Sequence, residues 1–370
     1  MKRLHVVPGL DEIGNGIAVA AKLIAAEQGA ELVEARLFAR GEGTLDGYDE
    51  VWVHSCWSPM TLKSCWRVLR AGKPLVRMTH ANLDPVRLRY HGWKKWLVGL
   101  IERWCLRRCD RIVATCEAEK GWIEKYLGKK CPVVEVTDVK RFFELGTEFG
   151  SDGKIDAWRR GFQPRQVGDQ NANSAAMLTR QDAASPNVGR DSLHILYLGR
   201  RHPLKGVEYL EKAVAELNSN PVNPVNPVQN SSTRLTSSVL SASLGTRFAR
   251  LGRFPMGRAH PQGAVTRLCV RFVSNAFGEE KERVWDWCDV LVLPTLSDNF
   301  GLVIAEALER GKRVITTDGA PAWNHEIHET HEKGVWSGYG GRLIYLKGYR
   351  NGTDEERVEL LKKAIERICK

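Results

Sequence analysis

"LPTLSDNFGLVIAEALERGKRVITTDGAPAW" (Leu293–Trp323) opens on an apolar strand, crosses a polar turn and continues as an apolar helix, then returns to a strand. Strand, helix and returning strand are the unit of a parallel α/β sheet, whose strands are apolar throughout because both faces are covered. One carboxylate, Glu306, sits among Ile304, Ala305, Ala307 and Leu308. An unpaired buried acid is costly, so this one needs a partner.

The same alternation runs outward in both directions. "LHVV", "GIAVAAKLIAAEQ", "EVWVHS", "TLKSCWRVLRAG" and "PLVRMTH" read as strand, helix, strand, helix, strand, continuing through "RIVATCEAEKGWIEKYLG" to "PVVEVT". A second series begins at "LHILYLG" and passes through "GVEYLEKAVAELN", "RLCVRFV", "EEKERVWDWC" and "DVLVLPT" into the opening stretch. Two Rossmann-like α/β domains are therefore expected, over 1–145 and 193–352, with a closing helix over 353–370 started by a Thr353/Glu356 capping box. The polar, Gln/Asn/Ser-rich segment 146–192 reads as a linker or insertion. Segment 218–266, opening on the repeat "NPVNPVNPV", reads as an irregular insertion. A chain of 370 residues, 43% hydrophobic, is long enough for two cores.

The net charge of +11 points to an anionic partner, whether nucleic acid, an anionic membrane or a phosphorylated small molecule. A nucleic-acid role has only that charge behind it, since no recognition module is present. Nine scattered cysteines, several within apolar runs, read as reduced thiols of a cytoplasmic protein. Cys105 and Cys109 lack the second Cys/His pair of a metal site, so no metal is expected. No apolar run is long enough for a signal peptide or a membrane span.

Ligands of parallel sheets collect beyond the carboxyl ends of strands, at helix N-termini. In "PGLDEIGNGIAVAA", Gly14 and Gly16 would let backbone approach a phosphate, or simply make a tight turn. In "YLGRRHPLKGVEYLEKA", Arg200 and Lys205 flank a loop leading into a helix, a cradle for a diphosphate or else a basic surface loop. In the opening stretch, Asp298, Asn299 and Phe300 lead to the free N–H groups of Gly301, Leu302 and Val303, suited to an anion or sugar hydroxyls. Asp298 and Glu306 could both accept from vicinal hydroxyls, although Asp298 could equally be a helix cap. His54 and His80 end consecutive strands, and His80 is the preferred site candidate.

Three of these stretches, "LGRRHPLKG", the block from "FGEEKERVWDWC" through "TDGAPAW", and "THANLDPVRLRYHGWKKWLVGLIERWCLRRCDRIVATCEAE", resemble the GT4-type retaining glycosyltransferases of GT-B fold, particularly those of bacterial lipopolysaccharide and capsule synthesis. The resemblance implies two Rossmann-like domains facing across a cleft. It also implies a nucleoside diphosphate sugar as donor, no cofactor, and a glycan or lipid-linked acceptor. By the same resemblance Glu306 matches the second glutamate of a Glu-x7-Glu pair, which holds the donor ribose, while Asp298 stands at the first position. Arg200 and Lys205 match the basic pair on the diphosphate, Gly16 the loop closing over it, and His80 a histidine near the transferred sugar. The usual Pro-Asn-Gly hinge is replaced by "VEVTDVKRFF", and no Asp-x-Asp motif occurs.

The acceptor side is carried by "RLRYHGWKKWLVGLIERWCLRRCDR", where Trp93, Trp96 and Trp104 alternate with cations, as on a helix lying on anionic lipid or one packed in a core. Localisation in the cytoplasm, on the inner face of its membrane, follows from that reading. Two other functions fit the same residues: a UDP-sugar 2-epimerase of this fold, or a catalytically weak sugar-nucleotide-binding partner subunit.

Overall fold

The computed structural model describes residues 1–12, 15–90, 92–137, 192–219, 267–274, 276–332, 335–338 and 340–369. Gly14 lies outside these residues, as do segments 146–191 and 220–266, which hold nearly all of the expected linker and insertion, and the side chains of Trp93 and Trp96.

The N-terminal sheet contains β1 (Arg3–Val7), β2 (Glu31–Glu34), β3 (Glu50–His54), β4 (Leu75–Met78), β5 (Arg111–Ala114) and β6 (Val133–Val136), ordered β2-β1-β3-β4-β5-β6. Every pairing is parallel, with His54 in register with Met78. The central strands β3 and β4 are buried at every residue, whereas the edge strand β6 is mostly exposed. Apolar residues dominate the covered strands for that reason, with Glu50 and His54 of β3 and Arg77 of β4 as buried polar exceptions. The connections are α1 (Gly16–Gln28), α2 (Ala35–Ala39), α3 (Pro59–Arg70), α4 (Pro85–Arg89), α5 (Gly92–Leu106) and α6 (Glu117–Leu127). Asn15 caps α1 by accepting from Ile17 N–H, and Gly29, at φ +62°, closes it.

The second sheet holds β7 (Ser192–Leu198), β8 (Arg267–Val273), β9 (Val290–Val292), β10 (Arg313–Thr317), β11 (Ile327–Glu332), β12 (Val335–Gly338) and β13 (Leu343–Leu346), ordered β11-β12-β13-β10-β9-β7-β8. Its helices are α7 (Val207–Ser219), α8 (Gly278–Trp287), α9 (Leu302–Glu309) and α10 (Asp354–Cys369). The expected all-parallel sheet needs one correction: β11 and β12 run antiparallel and extend the edge beyond β13. A short β12–β13 connection permits that direction, because only parallel neighbours require a long crossover. Thr353 and Glu356 form the reciprocal bonds of a capping box ahead of α10, whose buried Val358, Leu361 and Ile365 pack on the second core.

In each sheet the first strand connects outward to its neighbour and the chain then returns to the other side, between β1 and β3 and between β7 and β9. These reversals leave a crevice beyond the strand ends. The loops after β1, β3, β4, β7 and β9 supply the residues that meet there.

Candidate active site

Three strand-end loops of the second domain are tied into one wall. The carbonyl of Leu204 accepts from Leu296 N–H (2.8 Å) and from the Thr295 hydroxyl (3.0 Å). Gly206, at φ +60°, lies so close that a Cβ there would stand 2.1 Å from the Pro294 oxygen. Only glycine allows that approach. Asp298 N–H donates to the Gly319 carbonyl (2.7 Å), adding the loop after β10. Gly301, at φ +68°, is the residue before α9, and its Cβ would strike Ile304.

On this wall Lys205 and Asp298 meet as a close ion pair. Burial alone would push Asp298 up, but the Lys205 ammonium, helped by Arg87 and by Asn299 N–H, outweighs it and holds the carboxyl below its usual range. Asp298 therefore faces a cation of its own domain. Arg200 is exposed and makes no ion pair among the described residues. Glu306 is 6% exposed, and Lys281 Nζ of α8 lies 2.6 Å from its Oε2. The two acids expected to share a cleft take different cations on different elements. Phe300 is buried, its ring packs on Trp323 (5.3 Å), and its carbonyl accepts from Trp323 Nε1 (2.6 Å). Leu302 and Val303 are half-buried in the first turn of α9, where N–H groups have no partner within the helix.

The N-terminal domain closes on this wall at three points. A Cβ on Gly16 would lie 3.8 Å from Leu302, so the start of α1 stands over the start of α9. His80 Nδ1 is 3.2 Å from the Asn299 amide nitrogen, and the Thr115 hydroxyl is 2.9 Å from Asn299 Oδ1. Asp84, wholly buried, accepts from the Ser297 hydroxyl (2.5 Å), pairs with Arg350 and caps α4 through Val86 N–H. Arg87 Nε donates to the same Ser297 (2.9 Å).

Both ring nitrogens of His80 are occupied, by Asn299 and by His54 Nδ1 (2.8 Å), and the side chain is fully buried. His80 thus serves as an interdomain contact here, with no polar atom left for a sugar. Among the described residues, the non-glycine positions with positive φ are Ser55, Trp57, His80 and Ala81, all in the loops after β3 and β4. Strain of that kind persists where surroundings enforce it. The enforcement is visible at Glu119, which accepts from Thr79, from Ala81 N–H and from Thr115 N–H and hydroxyl.

A cavity of 690 Å³ lies beside the Asn299 contact, walled by Arg89, Thr115, Trp122, Phe300, Tyr345 and Lys347, among others. Phe300 is the one predicted site residue on its wall. Sequence reading missed Asp84, Thr115, Glu119, Lys281, Ser297 and Arg350, because their partners are distant in the chain. The sole local signal was the Asp-Pro of "ANLDP", a helix start that marks Asp84.

Two parallel-dominated sheets, each with a reversal-point crevice and flanking helices, define a two-domain fold of the GT-B type. Residues 15–136 match the family described as Glycosyltransferase Family 4, and residues 238–338 match Glycosyl transferases group 1. The chain belongs to these glycosyltransferases. The structure is similar to sucrose-phosphate synthase from Thermosynechococcus elongatus, at 14% identity over 99% of this chain and 89% of that one, with a TM-score of 0.53. It is also similar to HepE of Anabaena in complex with UDP-glucose, at 15% identity over 100% and 90% of the chains, TM-score 0.50. These likenesses are of fold. No curated protein matches the chain.

Proposed function

We propose that this glycosyltransferase moves a sugar, with retention of configuration and without a metal or other cofactor, from a nucleoside diphosphate sugar to a glycan or lipid-linked acceptor of the cell envelope. The observation that supports the reading is the wall built from the loops after β7 and β9, where Lys205 pairs with Asp298 just ahead of the first N–H groups of α9. As the bond from the sugar carbon to the diphosphate breaks, its electron pair leaves with the phosphate oxygen. Arg200, Lys205 and the positive end of α9 would stabilise that charge. The acceptor oxygen bonds to the sugar carbon and passes its proton to the departing phosphate oxygen, so no protein acid is needed on the leaving side.

Asp298 pairs with Lys205, so a diphosphate must compete with it for the ammonium. Glu306 is in reach of a ribose only by sharing with Lys281. The test is nucleotide release from UDP-glucose, the donor bound by HepE, in the presence and absence of candidate acceptors. Release in Lys205→Ala equal to the parent rate would sink the assignment. Release without any acceptor, with the sugar epimerised, would favour the epimerase instead, and tight nucleotide binding without turnover would favour a partner subunit.

Membrane docking is part of the same proposal. On α3 and α5 the exposed large side chains are Trp66, Leu100, Ile101 and Trp104, with Arg70 and Arg108 lying over the two indoles at 5.1 and 4.2 Å. The sole acid in the sequence of either helix, Glu102, is fully buried against Arg77 (2.7 Å), so among the described residues the exposed large and charged groups here are apolar or cationic. Such a face suits anionic lipid at the inner leaflet. Among the described residues no helix is long and apolar enough to cross a membrane. Co-sedimentation with vesicles rich in anionic phospholipid is expected, and its absence at low salt removes this part of the proposal.

A further inference from the structure

Three histidines that no motif connects, one each at β1, β3 and the loop after β4, are joined end to end inside the N-terminal domain. His80 Nε2 lies 2.8 Å from His54 Nδ1, and His54 Nε2 lies 3.0 Å from His5 Nδ1. At the far end His5 Nε2 is 3.1 Å from Gln28 Oε1, in the last turn of α1. At the near end the chain leaves the domain through Asn299, held in turn by Thr115.

A neutral imidazole has one donating and one accepting nitrogen. Burial, reinforced by Arg87, pushes His80 down to about 3, and burial pushes His5 down to about 4 and His54 well below its usual value. All three rings are neutral near pH 7. Gln28 Oε1 can only accept, which places the His5 proton on Nε2 and leaves Nδ1 to accept from His54. The same logic passes to His80, whose bare Nδ1 then receives the Asn299 N–H. The Asn299 oxygen faces the Thr115 hydroxyl at 2.9 Å, whose single hydrogen is shared with Glu119 at 2.6 Å. One direction pairs every nitrogen from Asn299 to Gln28.

We propose that Asn299, His80, His54, His5 and Gln28 form a directed hydrogen-bond relay, in which His54 and His5 are positioning residues that fix His80 as the Nε2–H tautomer. Asn299 lies three residues before α9, so the relay clamps the donor-side turn to the first domain. It joins the two strained loops, after β3 and β4, to the loop after β9. This rests on the reading of 298–303 as donor-binding, yet the relay itself is readable without substrate.

The experiment is imidazole ¹⁵N NMR on the full chain at pH 7, which distinguishes protonated from bare ring nitrogens. Nε2–H at all three histidines is expected. In Asn299→Asp the carboxylate can only accept, so His80, His54 and His5 should all switch to Nδ1–H. Nδ1–H tautomers or a charged ring in the parent, or an unchanged His54 in Asn299→Asp, overturns the relay. Steady-state kinetics add a second readout: His54→Phe should lower kcat about tenfold or more while leaving the donor KM within about twofold. An unchanged kcat refutes the positioning role. Correct tautomers with no glycosyl transfer would instead refute the donor-site reading and leave the relay standing.

Discussion

Lys281 Nζ stands 2.6 Å from Glu306 Oε2, so the carboxylate set into apolar α9 is held by a cation from the crossover helix α8. Removing one partner of such a pair strands the other charge in a poorly solvated place. Lys281→Met is expected to lower unfolding free energy by about 3 kcal/mol, the lower end for breaking a buried pair. The double change Lys281→Met with Glu306→Leu should recover most of the loss. Urea denaturation of the single and double variants is the check, and equal losses in both would show that Glu306 is not the stranded group.

The histidine chain carries a pH signature of its own. Because the folded rings of His5 and His80 titrate at about 4 and about 3, the unfolded chain binds more protons once pH falls below the ordinary histidine value of about 6.5. Stability must then fall with acidification and be regained as pH rises. Each of these two rings contributes a slope of about 1.4 kcal/mol per pH unit between pH 6 and 4.5, and His54, also pushed down by burial, acts in the same direction. Asp298 acts lower: its folded carboxyl is held below the usual range, so its contribution is complete above about pH 4 and lost beneath that. Unfolding free energy measured at half-unit steps gives the slope, and a flat profile from pH 6 to 4.5 contradicts buried neutral rings.

Two glycines with similar backbone angles should respond very differently to alanine. Gly29 has φ +62° with nothing within 4 Å of an added Cβ, whereas Gly206 has φ +60° with the Pro294 oxygen 2.1 Å away. Gly29→Ala should cost about 1–2 kcal/mol from the left-handed conformation alone. Gly206→Ala adds a backbone clash that must push the Lys205 loop from the Asp298 loop, so it should cost more and also weaken nucleotide binding. Thermal shift with and without UDP distinguishes them. A nucleotide-induced shift retained in Gly206→Ala would mean that the junction does not shape the site.

Much of this architecture was legible in the chain because its signals are local. The covered strands β3 and β9 announce themselves through the apolar runs Val51–Val53 and Val290–Val292, while β4 carries the buried Arg77 within its run, and Thr353 and Glu356 mark the start of α10 within four residues. Gly301 and Gly206 were visible as glycines at strand-to-helix turns, though not the clashes that require them. The antiparallel β11 and β12 were hidden, since "IHETHE" has no apolar continuity to set it apart from loop. At the candidate site the individual residues were legible and their partnerships were not. Asp298 with Lys205, Glu306 with Lys281 and His80 with Asn299 are long-range pairings, set by sheet order and domain contact. The histidine relay was half visible: His54 and His80 share strand-end positions, but His5 lies within β1 and joins them only because β1 and β3 are neighbours.

Asp84, which sequence reading did not select, makes as many interdomain contacts as Asn299. Its carboxylate takes the Ser297 hydroxyl, the Arg350 guanidinium and the cap N–H of Val86, and Arg350 also lies over the Trp122 ring at 5.0 Å. Asp84→Ala removes the acceptor from all three donors at once. Loss of the cap alone is worth about 1 kcal/mol. The larger consequence is positional: Ser297 and Arg350 lose their tie to the first domain, so the contact around Asn299 must loosen. The expected outcome is a larger radius of gyration by small-angle X-ray scattering, faster amide exchange in residues 79–84 and 297–301, and a lower kcat/KM for the donor. Asp84→Asn keeps the cap and one acceptor and should fall between the two. If Asp84→Ala lowers stability yet leaves scattering and exchange unchanged, the carboxylate is only a helix cap, and closure of the two domains rests on Gly16 with Leu302 and His80 with Asn299 instead.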